Sequence, residues 1–149
     1  MTYKESQERA VDRFWETIPP LWGKIRQHIR AEATGRFDIS VEQFHVLRYV
    51  RRGISSISDL ATAKNMSRPA ISQTVDMLVN KGLLTRTQSS EDRRFVELTL
   101  TESGNALLDT VFKETRAWMK ELMSGLSTEE LETIVKAMES LKKTLNRDE

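Results

Sequence analysis

Ser67-Arg68-Pro69-Ala70-Ile71-Ser72-Gln73 brings two hydroxyls, a guanidinium and a carboxamide into one short run. The chemistry open to this set is hydrogen bonding. The Gln73 amide is donor and acceptor at once, the pattern that matches N6 and N7 of adenine, and the Arg68 guanidinium matches O6 and N7 of guanine or a phosphate oxygen. Ser67, Pro69, Ala70 and Ser72 are small and sit at the same leading end, where they would meet the same surface. A second group, Glu91-Asp92-Arg93-Arg94, is a charged turn. Its guanidiniums either pair with the adjacent carboxylates and stiffen the turn, or reach outward to an anionic partner; two arginines can divide these tasks. Arg86 and Lys64 suit phosphate contact, which positions a protein without reading sequence.

Bond-breaking chemistry finds no support. The chain has no cysteine, which excludes disulfides and thiolate chemistry, and its two histidines, His28 and His45, stand in no paired ligand motif. A zinc site is not expected, and no glycine-rich phosphate loop occurs. The expectation is a non-enzyme without metal or cofactor, with each histidine buried and hydrogen-bonded.

The elements that must position these residues are legible around them. Ser56 is placed to cap a short helix whose inward face is Leu60 and Ala61, with Asp59 approximating a capping box. Lys64-Asn65-Met66 forms a turn. Ser67 caps a second helix with Pro69 in its first turn, and Ile71, Val75, Leu78 and Val79 make its apolar stripe. Gly82 stops it in the left-handed position. Pro69, Gln73, Asp76 and Asn80 fall opposite the stripe, flanked by Arg68, Ala70 and Ser72. The pair alone suits a helix-turn-helix or an ordinary surface helix of an all-α protein. Residues 84–100 decide for the first. Leu84–Thr87 and Val96–Leu100 are β-prone, the latter with period-two alternation, and they enclose the polar stretch 89–94. A helix-turn-helix followed by a basic-tipped hairpin is a winged helix, which sets one helix in the major groove and an arginine near a minor groove or the backbone.

The 149 residues suit one domain with appended helices. Overall charge is +1 and uninformative, but residues 48–94 carry nine Lys/Arg against four Asp/Glu, whereas 101–149 carry seven against ten. A basic middle beside an acidic tail fits a phosphate-facing module on a solvated scaffold. With no long apolar run and no signal-peptide core, a cytoplasmic protein without a membrane partner is expected.

The flanks are amphipathic. Val11, Phe14, Trp15, Ile18, Leu21, Trp22, Ile25 and Ile29 keep a helical period, with a kink or break expected near Thr17–Pro20 because proline removes a ladder donor and pushes its predecessor off the helical region. The indoles on this stripe suit a core or subunit interface, or a ligand box. Gly35–Ser40 reads as a connector, and Ser40 caps a helix over 41–51 with Phe44, Leu47 and Val50 inward and Arg48, Arg51 and Arg52 at its C-terminal end, favourable against the helix dipole. Gly53-Ile54-Ser55 is a candidate third strand. After the hairpin, Thr101 caps a helix in which Gly104 is weak by propensity; Ser124–Ser127 breaks it, and a last helix carries Leu131, Ile134, Val135, Met138, Leu141 and Leu145. So much amphipathic helix exceeds what a small winged helix needs, and an intertwined dimer uses it, with a closed monomeric bundle as the alternative.

Val41-Glu42-Gln43-Phe44-His45-Val46-Leu47, Asp59-Leu60-Ala61, Val75-Asp76-Met77-Leu78, Lys81-Gly82-Leu83-Leu84-Thr85-Arg86, Glu91-Asp92-Arg93-Arg94 and Leu98-Thr99-Leu100-Thr101-Glu102-Ser103-Gly104 occur in an order that resembles the MarR family, the multiple-antibiotic-resistance type of bacterial regulator. The resemblance implies a mainly α fold with a small β-hairpin wing (α+β): an N-terminal dimerisation helix over 1–36, a winged helix-turn-helix over 37–100 and C-terminal dimerisation helices over 101–149. It implies one long first helix, a homodimer on double-stranded DNA, and a repressor of transcription released from a pseudo-palindromic operator by a small aromatic ligand. Trp15, Trp22, His28, His45 and Trp118 could line a cleft for such a ligand, with Arg48 as an anion partner, but each also reads as a structural residue and no ligand site is assigned. Under this reading Ser67, Arg68, Pro69, Ala70, Ser72 and Gln73 meet the major groove, Arg93 and Arg94 a minor groove, and Arg86 and Lys64 phosphate. The alternatives are a sequence-tolerant architectural DNA-binding protein and a winged-helix protein-interaction module.

Overall fold

The computed structural model describes residues 1–92 and 94–145. The chain divides into two units, Met1–Thr115 and Arg116–Glu149. The first contains helix α1 (Tyr3–Phe37), α2 (Val41–Arg51), α3 (Ile57–Lys64), α4 (Arg68–Asn80), strands β1 (Leu84–Gln88) and β2 (Val96–Leu100), and the start of α5 (Glu102–Leu122). The second holds the end of α5 and α6 (Thr128–Leu145).

Local signals set most boundaries. The Ser40 hydroxyl accepts from the Gln43 amide while the Gln43 side chain accepts from the Ser40 amide, a reciprocal cap on α2. Ser56 caps α3 through the Asp59 amide, without the reciprocal half of the box. Asn65 at φ 51° then turns the chain, and Ser67 caps α4 through the Ala70 amide at 3.2 Å. Gly82, at φ 71°, follows the end of α4, as a left-handed stop should. Ser127 and Glu130 cap α6 reciprocally.

Phe44 and Leu47 of α2, Leu60 of α3, Ile71, Val75 and Leu78 of α4, Leu84 and Leu98 of the hairpin, and Leu108 and Val111 of α5 form one buried cluster. The hairpin is antiparallel, running from Leu84 opposite Leu100 to Gln88 opposite Val96. Among the described residues the sheet has these two strands. Residues 53–55 do not form the expected third strand: a single bond joins them to it, from the Leu98 amide to the Ser55 carbonyl at 2.8 Å.

Two expectations need correction. Helix α1 is continuous through Pro19 and Pro20, so of the kink or break expected there the break does not occur, and it extends through Gly35–Phe37, which the sequence suggested as connector, to end at Asp38 in the left-handed conformation. The two prolines cost the helix two amide donors, on a stretch where Trp15 and Glu16 are exposed. Gly104 is also more than a weak helix residue. A Cβ there would overlap the Leu83 carbonyl oxygen, and the Thr101 hydroxyl, which caps α5 through the Gly104 amide, donates to the Gly82 carbonyl at 2.7 Å. Glycine is what lets α5 start against the base of the hairpin.

Candidate nucleic-acid interface

The capped end of α4 is held forward by α3. Ser67, Arg68, Pro69 and Gln73 are exposed there, with Ala70 and Ser72 half-buried beside them. Arg68 donates from Nη2 to the Ser58 hydroxyl of α3, which orients its guanidinium across the turn. No spacing rule in the sequence connects these two residues, because the turn between α3 and α4 brings them together. The six residues expected at the major groove therefore share one end of one helix, and they offer hydroxyl, guanidinium and carboxamide groups to solvent.

The hairpin contributes the second element. Asp92 accepts from the Arg94 amide at 3.0 Å and from its guanidinium at 2.8–3.2 Å. This contact lowers the Asp92 pKa and raises that of Arg94, each through the side-chain hydrogen bond between them. The Arg94 side chain nonetheless remains 87% exposed, so it is oriented but still accessible to a partner. Arg93 lies outside the described residues.

Arg86 and Lys64 are not free cations. Arg86, on β1, pairs with Asp76 of α4 at 2.6 Å and reaches the Ser72 carbonyl at 3.5 Å, which ties the wing to the recognition helix. Asp76 is the positioning residue that sequence reasoning passed over; its place opposite the apolar stripe was visible, its strand partner was not. Lys64 departs from the expected phosphate contact. Its side chain is 8% exposed, paired with Glu42 at 2.8 Å and placed 5.5 Å from the Tyr49 ring centroid, so its ammonium is turned inward.

A second polar region lies between α1 and α2. Trp22, Arg26, His45, Arg48, Tyr49, Arg52 and Lys64 line a cavity of about 190 Å³. Arg48 is more than a cation at the C-terminal end of α2: its guanidinium sits 5.3 Å from the Phe112 centroid and 6.0 Å from that of Phe44, and its Nε is buried without a hydrogen-bond partner. Burial lowers its pKa, with Arg52 adding to the effect. His45 is also shifted down, first by burial and then by Lys64, against a smaller opposing effect of Glu42. The Thr115 hydroxyl lies 3.5 Å from Nδ1 of His28. Among the described residues no cluster of His, Asp and Glu could hold a metal ion, and no helix is long and apolar enough to cross a membrane.

The chain is similar to known proteins in sequence and in fold. The sequence pattern of the MarR family matches residues 37–94. An uncharacterised HTH-type transcriptional regulator of Bacillus subtilis (strain 168), YdgJ, is 28% identical over 94 residues, a match covering 63% of this chain and 57% of that relative's length. The fold is similar to that of the transcriptional regulator Tm0710 from Thermotoga maritima, with a TM-score of 0.80 at 22% identity over 92% of this chain and 96% of that one. It is also similar to Streptococcus pneumoniae FabT crystallised with DNA, with a TM-score of 0.71 at 22% identity over 93% and 99% of the respective chains.

Proposed function

We propose that the chain is a transcriptional regulator of the MarR family, whose sequence pattern it matches over residues 37–94, and that it acts in the cytoplasm as a homodimeric, sequence-specific repressor on a pseudo-palindromic duplex. The observation that carries this reading is the capped leading end of α4, with Gln73 and Arg68 exposed there, braced by Arg86 to a hairpin that ends in Arg94. Gln73 reads adenine, Arg68 reads guanine or holds phosphate, and Arg94 enters a minor groove. The FabT complex with DNA supports the choice of partner.

The dimer rests on exposed apolar faces in each unit. Val11, Phe14, Trp15 and Trp22 are exposed along α1, as are Leu131, Val135, Met138 and Leu141 along α6, which buries no residue of its own. Faces of this kind need a cover, and a second copy supplies it. Two-fold symmetry then sets the recognition helices about 34–36 Å apart, one turn of B-DNA.

Release by an aromatic anion is supported by the cavity between α1 and α2, where Trp22 and Tyr49 provide ring faces and the unpartnered Arg48 Nε a donor. Such a ligand regulates only if it prefers one spacing of the two recognition helices.

Selection of bound duplexes from a random pool, together with affinity measurement across a salt series, tests the proposal. The expected result is a symmetric motif bound about 10³-fold or more over random duplex, with affinity falling steeply as salt rises. Equal affinity for all duplexes would make the chain an architectural protein, and no binding at low salt would leave a protein-interaction module.

A further inference from the structure

The wing carries an aromatic ring that none of the contacts proposed for DNA uses. Phe95 is 64% exposed and takes no part in the buried cluster. Among the described residues from 38 to 115, exposed large apolar side chains are confined to Met77, Phe95 and Val96. Two of the three therefore sit together where β2 leaves the wing tip. An uncovered phenylalanine at the end of a two-stranded ribbon is a liability, since an apolar ribbon end invites pairing with other chains.

Hydrogen bonds hold the main chain that carries this ring. The Phe95 amide donates to the Asp92 carbonyl at 3.0 Å, and its carbonyl accepts from the Ser89 amide at 2.9 Å. Asp92 also holds the amide and the guanidinium of Arg94. One braced turn thus presents a cation followed by a ring. A minor groove offers two surfaces to such a pair: a floor of acceptors at negative potential, and walls made of deoxyribose C–H groups. Minor-groove proteins do place apolar side chains in that groove, as wedges between base steps; a ring that stays outside the stack meets the sugar walls instead.

We infer that Phe95 packs against the deoxyribose wall of the minor groove beside Arg94, adding affinity through apolar burial at the wing. The inference rests on the proposed role of the wing at DNA. It differs from an ionic contact in one measurable way: burying a ring on sugar releases no condensed counterions, so its contribution does not change with salt.

The test uses the full chain and the duplex selected by it. Affinities of the unsubstituted protein, Phe95→Ala, Phe95→Leu and Arg94→Ala are measured from about 50 to 300 mM salt, with thermal midpoints and sedimentation of each, and the contacts are mapped by hydroxyl-radical cleavage of the sugars. Phe95→Ala should bind about tenfold more weakly at every salt concentration, with the slope unchanged. Phe95→Leu should fall between, and Arg94→Ala should flatten the slope by about one. Sugars protected under the wing should become cleavable in Phe95→Ala, while protection elsewhere on the site is kept. Equal affinity of Phe95→Ala and the unsubstituted protein overturns the inference and leaves DNA binding intact, as does an unchanged cleavage pattern. A shifted thermal midpoint or an altered oligomeric state in Phe95→Ala also overturns it, by making the ring a packing residue. If the unsubstituted protein binds no duplex, the DNA reading itself fails, and that result is seen without any substitution.

Discussion

Arg86 and Asp76 join the wing to the recognition helix: Nη2 of the first lies 2.6 Å from Oδ1 of the second. The pair is half-exposed, so it adds less than about 1 kcal/mol to stability. Under the proposed function its effect should appear in DNA binding, because it would fix the angle at which α4 and the hairpin meet a duplex. Arg86→Gln should weaken binding about three- to tenfold while leaving the salt slope alone, since the guanidinium is already committed to a carboxylate. A slope flattened by about one would instead make Arg86 a phosphate contact.

Gln73 stands exposed at the leading end of α4 with no protein partner needed to orient it. Gln73→Ala should cost about 1–3 kcal/mol on the selected duplex and relax preference at one base position. Affinity for random duplex should hardly change. Equal losses on both would remove Gln73 from base reading.

Gly104→Ala tests the junction between α5 and the hairpin. Alanine gains helix propensity, worth about 1 kcal/mol, but its Cβ meets the Leu83 carbonyl oxygen, a backbone atom that cannot rotate away. A net loss of about 1–3 kcal/mol is expected in denaturant unfolding. Stabilisation by this substitution would mean that α5 starts farther from the hairpin.

His45 gives the fold a pH dependence. Its pKa is lowered by burial and by Lys64, so below the ordinary value of 6.5 the unfolded chain takes up a proton that the folded chain resists. The group's contribution is therefore present above pH 6.5 and declines as pH falls from there toward the lower folded pKa. The thermal midpoint should drop between about pH 7.5 and 5.5, and His45→Gln should reduce that drop. An identical drop in the variant would assign it to other groups.

Much of the winged helix was legible because its signals are local. The serine caps at Ser40, Ser56 and Ser67, the period of Ile71, Val75 and Leu78, and the alternation of Val96, Leu98 and Leu100 each concern neighbours in sequence. What sequence missed was long-range pairing. Arg86 and Lys64 looked alike as surface cations, yet one meets Asp76 and the other Glu42, and both partners lie on other elements. Arg48 reads as a helix-end cation in sequence because Phe44 and Phe112 meet it only in the fold. Gly104 scored poorly by propensity because propensity ignores the Leu83 carbonyl beside it. The break expected at Pro19-Pro20 failed because local preference is only one contribution to whether a helix continues.

The unbroken passage of α1 through Pro19 and Pro20 has a consequence for cooperativity. Helix order spreads from turn to turn through amide bonds, and here two successive rungs have no donor, so order in residues 21–37 is poorly transmitted upstream. Residues 3–17 are exposed along their whole length, so nothing among the described residues replaces the missing rungs. Amide protection in that stretch would then depend on protein concentration, rising as protomers associate and fading on dilution, while protection around Phe44 and Leu78 stays constant.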